Sequence, residues 1–269
     1  MGGRINCSEK REGGRKRNMT RHGEQKTLKR LNTPAFLQIK RKHGKFFIKS
    51  SLGPHPSKFC LPILHIIRDL LKIVDNYREA KKIIGLGYFK VDGKVVKDKA
   101  FPVGLMDVLS IEKMNKYFRV LPDSHYGLIL HEIKKEESLF KLCRIIQKTT
   151  IKGGHIQLNL HDGRNILIKV NDPKNPKEDI YKRMDVLKIS IPEQEILKIL
   201  KFKENNLAII MSGKNIGQIG KILNITKRFG PKASTVSIQH NSQITETLYD
   251  YTFIIGEDQP EIKLPNISN

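Results

Sequence analysis

Arg78, Lys81 and Lys82 recur at three- and four-residue spacing, and Lys90 and Lys94 stand on either side of Asp92-Gly93 shortly after them. Residues three and four apart share one face of a helix. Cations gathered in this way neutralise phosphate oxygens, which is chemistry of binding rather than of bond making. The plain alternative is a solvated helical face, because charge runs usually serve as one. Residue types suited to catalysis are less tellingly placed. His161-Asp162-Gly163-Arg164 sets an imidazole, a carboxylate and a guanidinium side by side, but each also suits a polar hairpin turn, and the cluster is read as structural. Asp92, Asp98, Asp107 and Glu112 are scattered among lysines, so no general acid/base couple can be named. Gly213 to Lys221 has the look of a phosphate-cradling loop, yet Ile222 follows Lys221 and Asn215 stands where the first glycine belongs. No Gly-x-Gly-x-x-Gly, Gly-x-Ser-x-Gly or His-Glu-x-x-His occurs. Cys7, Cys60 and Cys143 are too far apart for a zinc site or a disulfide framework and fit a reducing compartment.

The elements that must hold these cations follow from periodicity. Leu64, Ile67, Leu71 and Val74 give one helix within Cys60 to Val74 a buried stripe, with Pro62 in its first turn. Asn76 with Glu79 three residues on starts a second helix, with Ala80, Ile83 and Ile84 inward and Arg78, Lys81 and Lys82 outward. Gly85 and Gly87 end it. Tyr88 to Val96 then brackets Asp92-Gly93, whose residues tolerate the positive φ of a tight hairpin.

The whole chain is basic. Fifty Lys and Arg against 27 Asp and Glu give a net charge of +23 over 269 residues, so a polyanion is the expected partner. Fourteen of those cations face only three acids in the first 45 residues, a net +11. Such a polar, glycine-rich segment is expected to be disordered until a partner neutralises it. No apolar run approaches the roughly 18 residues of a membrane span, no signal peptide opens the chain, and Asn6 spoils a myristoylation motif.

Short apolar packets of differing period point to an α+β multidomain chain with several small cores. A basic arm and extended segment (1–57) precedes a helix-pair-and-hairpin module (58–122). A strand-rich central domain (123–205) follows, with Ile156, Leu158 and Leu160 alternating outward and Ile166, Ile168 and Val170 alternating back. Its proline-bearing stretch from Asn171 to Asp179 is a loop excursion that the core does not need. In the last part (206–269), Leu207 to Met211, a turn marked by Gly213, Gly217 and Gly220, a second strand, and Val236 to Ile238 read as a small antiparallel barrel.

The helix, helix, hairpin order resembles the αL RNA-binding motif of the S-four superfamily, and the glycine-punctuated strands resemble the KOW motif, an SH3-like barrel. The combination resembles the eukaryotic and archaeal small-ribosomal-subunit protein four family. The match is carried by Leu28-Lys-Arg30, Gly53-Pro-His55, Cys60-Leu-Pro62, Tyr88 to Lys94, Gly104 to Ile111, Lys141-Leu-Cys143, His161-Asp162, Gly213 to Gly220 and Phe253 to Gly256. The resemblance implies a structural constituent of the small subunit that binds its rRNA, with neighbouring small-subunit proteins as further partners. It implies no catalysis, no cofactor, no membrane and no small-molecule substrate. The place implied is the cytoplasmic ribosome, with passage through the nucleus and nucleolus in a eukaryotic cell.

On matching positions the resemblance assigns rRNA contact to Lys29, Arg30, His55, Lys90, Lys94 and the turn with Gly217 and Gly220. The basic character of the chain adds Arg21, Lys40, Arg41 and Lys42 in the arm, and Arg68, Lys72, Arg78, Lys81 and Lys82 on the helices. It also adds Lys214 and Lys221 beside the glycine turn. Two departures are visible: the family's start corresponds to Met19-Thr-Arg, leaving residues 1–18 without counterpart, and its basic tail after Leu264-Pro265 is not seen before Asn269. Two other classes carry related modules. RNA-modifying pseudouridine synthases need an Arg-Leu-Asp, whereas Arg30-Leu31 is followed here by Asn32, and elongation factors with a KOW barrel usually add an acidic domain that is missing. A-form RNA is gripped by phosphate and shape, and only 7% aromatic residues with no Trp disfavours a stacking platform.

Overall fold

The computed structural model describes residues 27–39, 42, 44–124, 127–172, 176–230, 232–240 and 243–265. Most of the arm, with the candidate contacts Arg21, Lys40 and Arg41, lies outside them. Of the segment expected to be disordered, the described residues from Thr27 onward join the fold. Strand β1 (Leu28–Lys29) pairs antiparallel with β2 (Phe46–Phe47), and Leu37 and Phe47 are buried in the main core. Leu28, Phe36, Leu37, Ile39 and Phe47 supply the apolar surface that the charge count of this stretch conceals.

The expected first helix is shorter than its apolar spacing suggests. Cys60–Pro62 is a strand (β3) paired with β6 (Pro102–Gly104), and helix α1 begins only at Ile63–His65. Pro62 precedes the helix, because a residue before proline is held extended and the ring removes a donor. The helix widens into a π turn over Ile66–Leu70, with Leu71 N–H donating to Ile66 O at 2.8 Å, and ends where Lys72 turns to φ 51. Helix α2 (Tyr77–Gly85) follows the expected pattern, burying Ala80 and Ile84. Asn76 precedes it, its side chain meeting Glu79 Oε1 at 3.3 Å rather than capping the backbone.

The first large sheet has the order β5-β4-β7-β8-β9: β4 (Phe89–Val91), β5 (Lys94–Val95), β7 (Val108–Ile111), β8 (Lys116–Asp123) and β9 (Gly127–Ile133). Asp92 and Gly93 take φ 47 and 75 in the tight turn between β4 and β5. Because β8 and β9 form one hairpin, this sheet runs past the expected boundary at 122 to Ile133. The second sheet is antiparallel in the order β12-β11-β10-β13-β14: β10 (Phe140–Thr150), β11 (Ile156–Leu160), β12 (Asn165–Ile168), β13 (Val186–Ser190) and β14 (Ile196–Leu200). The third runs β18-β17-β16-β15-β19: β15 (Leu207–Ile210), β16 (Ile219–Thr226), β17 (Thr235–His240), β18 (Gln243–Leu248) and β19 (Thr252–Gly256).

The cores are less modular than the sequence suggests. One cluster runs from Leu37 through the first sheet to Ile209, Phe253 and Ile262, joining the first and third sheets. The central sheet has a second cluster of Cys143, Ile145, Leu158, Leu187 and others. Successive strand residues point to opposite faces, so Leu142 and Val186 join the shared core while Cys143 and Leu187 join the smaller one. The two middle strands of the central sheet are therefore buried on both sides, which locks that sheet to its neighbours.

Candidate nucleic-acid interface

Two populations of cations emerge from this framework. On α2, burial of Ala80 and Ile84 turns Arg78, Lys81 and Lys82 outward, all exposed and without an ion-pair partner among the described residues. Lys72 and Lys94 are exposed near the same helix-and-hairpin unit, and Lys29 and Lys42 are exposed on the folded part of the arm. Arg30 is half-buried, its backbone N–H donating to Lys45 O at 3.1 Å. Lys214 and Lys221 are exposed on either side of the glycine turn between β15 and β16.

Other expected contacts are engaged by the protein itself. Arg68 forks onto Asp69 with Nε at 3.0 Å and Nη2 at 2.7 Å, and His65 Nδ1 lies 2.7 Å from the same carboxylate. Burial alone would raise Asp69, but His65 and Arg68 hold it well below the usual carboxylate range. Lys90 pairs with Glu112. His55 is buried, its Nε2 2.9 Å from Asp107, and so is unavailable to a phosphate at the surface. A Cβ at position 104 would stand 2.2 Å from the His55 ring, so glycine there is what admits the imidazole.

His55 belongs to a buried ionic cluster that sequence reasoning missed. Lys141 Nζ on β10 donates to Asp92 at 2.8 Å and to Asp162 at 3.0 Å, and also to Asp107. Arg164 completes it, 2.6 Å from Asp92 and 3.2 Å from Asp162. Backbone donors hold the remaining oxygens: Val108 N–H on Asp92 at 2.9 Å and Gly104 N–H on Asp107 at 2.8 Å. Two of the four carboxylates read as scattered, Asp92 and Asp107, thus converge, whereas Asp98 accepts from Ser51 and Glu112 pairs with Lys90. His161 to Arg164 is a turn that supplies two more members, Asp162 and Arg164. Burial disfavours charge on Lys141, yet Asp107 and Asp92 push its ammonium well above the ordinary value. Burial would likewise raise Asp107, but Lys141 and His55 hold it far down, while Asp162 is lowered to about 2. Asp92 is raised, its burial only partly offset by Lys141. Cys143, His161 and Asp162 lie close enough to hold a metal. However, burial raises the Cys143 thiol and Lys141 already occupies Asp162, so the donor set is satisfied without one.

His161 shows its protonation state by its partners. Arg144 N–H donates to Nδ1 at 3.2 Å, so Nε2 carries the proton and donates to Leu105 O, also at 3.2 Å. A second proton on Nδ1 would confront an N–H. Burial, with Lys141 nearby, lowers this imidazole to about 3. Its ring meets Phe253 edge-on at 5.6 Å, so the residue ties the central sheet to the β6–β7 connection and to the third sheet.

The glycine turn is shaped by close approach as much as by φ. Gly217 has φ 81, and a Cβ there would lie 2.8 Å from Ser124 N. Gly220 does not lie at positive φ; a side chain is excluded there because a Cβ would stand 2.1 Å from Gln239 O on β17.

Family models match three stretches of the chain: the RS4NT domain over residues 22–58, the S4 domain over 71–109 and the ribosomal family S4e over 114–196. The small ribosomal subunit protein eS4 of Staphylothermus marinus is 51% identical over 249 residues, covering 92% of this chain and 98% of its own. The chain belongs to the S4e family of ribosomal proteins. It is a structural constituent of the small ribosomal subunit and not an enzyme. The eS4 protein of Desulfurococcus amylolyticus is 49% identical, over 90% of this chain and 97% of its own. The S4e crystal structure from Thermoplasma acidophilum superposes with a TM-score of 0.61 at 36% identity, covering 74% of this chain and 95% of that one. The S4e chain thus shares a strand-rich architecture with few helices. The S4 match spans α2, the Asp92-Gly93 hairpin and the first half of β7, the unit that presents Lys72, Arg78, Lys81, Lys82 and Lys94.

Proposed function

We propose that the chain holds small-subunit rRNA mainly by phosphate contact and shape, through cations that the fold leaves unmatched. Arg78, Lys81 and Lys82 on α2, Lys72 and Lys94 beside them, Lys29 and Lys42 on the arm, and Lys214 and Lys221 flanking Gly217 and Gly220 are the proposed contacts. The observation that carries this reading is the segregation of charge: the buried lysine is enclosed by acids, whereas no acid among the described residues pairs with the outward cations of α2. Lys90 and Arg68 are proposed as secondary contacts, since each would first have to leave or share a partner in the protein, and Arg30 as another because it is half-buried.

The finer architecture belongs to the same proposal. The α1, α2, β4, β5 order supports an αL-type module, and β15 to β19 with the Gly217 turn support a KOW-like, SH3-type barrel. The parts are then a basic segment (1–57), the RNA-binding module from 58, a central β domain to 205 and the barrel with its C-terminal segment (206–269). Pairing of β8 with β9 favours moving the second boundary from 122 to about 134. No helix of the described residues is long and apolar enough to cross a membrane. The chain's place is the cytoplasmic ribosome, reached through the nucleolus if its cell is eukaryotic.

Sedimentation of ribosomes on a gradient tests the assignment: the chain should be stoichiometric in small subunits and sparse elsewhere. Binding of purified protein to its rRNA should weaken steeply with salt, with a slope equivalent to about six or more phosphate contacts. A nearly flat titration would sink the phosphate-contact reading.

A further inference from the structure

Phe229 is fully exposed in the loop between β16 and β17, directly after Lys227 and Arg228. A single exposed apolar residue is ordinary; its surroundings here are not. Gly230 turns the loop at φ 112, and Arg228 N–H closes its base by donating to Ser234 Oγ at 3.1 Å. Beside the loop lies a cleft of about 350 Å³ walled by Phe229, Leu248 and Tyr249, with Lys227, Arg228 and Arg183 around it. The two aromatic walls differ. Tyr249 is held by Phe202, edge-on at 4.8 Å, while Phe229 has no ring partner among the described residues. The acid at the cleft, Asp250, is already 3.1 Å from Arg183.

A cleft with one fixed ring, one unpartnered ring and cations at its edge suits a planar group attached to a phosphate. RNA presents such a group wherever a base is splayed from the helix, and proteins read those bases by stacking on aromatic side chains. We propose that an unpaired nucleotide of the rRNA enters this cleft, its base against Phe229 and its phosphates held by Lys227 and Arg228. The proposal rests on the rRNA-binding reading and adds a stacking contact to it, at a position that the low aromatic content of the chain obscures. A protein neighbour is the competing occupant, but Lys227 and Arg228 at a cleft whose one acid is already paired with the third cation, Arg183, favour a polyanion.

The test uses the full chain and two RNA hairpins, one carrying a single bulged 2-aminopurine and one fully paired. Wild-type protein should prefer the bulged hairpin and quench its fluorescence. Phe229→Ala should lose roughly tenfold in affinity for the bulged hairpin, with the quenching, while its affinity for the paired hairpin, its salt slope and its melting temperature stay unchanged. Phe229→Trp should restore both preference and quenching. Lys227→Ala with Arg228→Ala should weaken binding to both hairpins and reduce the salt slope. Equal preference and quenching in wild type and Phe229→Ala, with binding still salt-dependent, would overturn the stacking proposal alone. Salt-independent binding of both hairpins would overturn the rRNA reading beneath it. Unchanged RNA behaviour of Phe229→Ala with lower occupancy in small subunits would give the tip to a protein neighbour and overturn the proposal as well.

Discussion

Lys141 and Lys81 carry the same ammonium group, but one is enclosed by three carboxylates and the other faces solvent with none among the described residues. The buried cation joins the hairpin turn of the first sheet, through Asp92, and the β6–β7 connection, through Asp107, to the central sheet. Its charge is used up inside the protein. The exposed cations of α2 add almost nothing to folding, because no acid among the described residues pairs with them, and so they keep their charge for a phosphate. The same division explains His55, which the family resemblance places among RNA contacts and the structure places against Asp107.

The comparison breaks most directly at Lys141. Lys141→Met would leave carboxylates buried without their cation, at an expected cost of roughly 3–5 kcal/mol, measured by denaturant unfolding. Loss of cooperative folding would be consistent with that figure; a cost under about 1 kcal/mol would mean that the cluster is not a structural joint. Gly220→Ala comes next. Its methyl group would meet a backbone oxygen, an overpacking expected to cost about 1–3 kcal/mol, and the loss should appear in stability before it appears in RNA affinity.

Acidification sharpens the comparison without a mutation. An unfolded chain protonates this histidine below its ordinary value of 6.5, whereas folded His161 stays neutral down to about 3. Between those values the unfolded state binds the extra proton, so stability should fall by about 1.4 kcal/mol for each pH unit lost below 6.5 from this group alone. Asp162 adds to the loss further down. Its stabilisation is complete above its ordinary 3.8 and disappears as pH falls through about 2. Denaturant midpoints from pH 7.5 to 4.5 measure the histidine part; a flat profile would contradict the neutral, doubly bonded His161. The smallest effect on folding is expected on the open face. Lys81→Ala with Lys82→Ala should move stability by no more than about 0.5 kcal/mol, yet reduce the salt slope of rRNA binding by roughly 0.7–0.9 for each phosphate that is no longer neutralised.

Local chemistry was legible wherever the chain decides its own shape within a few residues. The Asp92-Gly93 hairpin, the amphipathic α2 and the alternating β11 and β12 all follow from turn chemistry and apolar period. The front of the expected first helix failed because Cys60–Pro62 finds a strand partner at Pro102–Gly104, about 40 residues away, which no local period announces. The arm was overextended for a related reason: its charge was counted, but the core that receives Leu37 and Phe47 is built by later residues.

The sequence by itself determined that the chain is basic, that α2 turns Arg78, Lys81 and Lys82 to one side, and that a tight hairpin follows. Those facts depend on composition and on contacts within one or two turns. Only the tertiary structure decided which charges are spent. Lys141 meets Asp92, Asp107 and Asp162 across separations of 49, 34 and 21 residues, and those meetings exist only once β10 packs between its neighbours. A lysine's availability is set by what the fold brings within about 3 Å of its nitrogen, and sequence spacing carries no record of that distance.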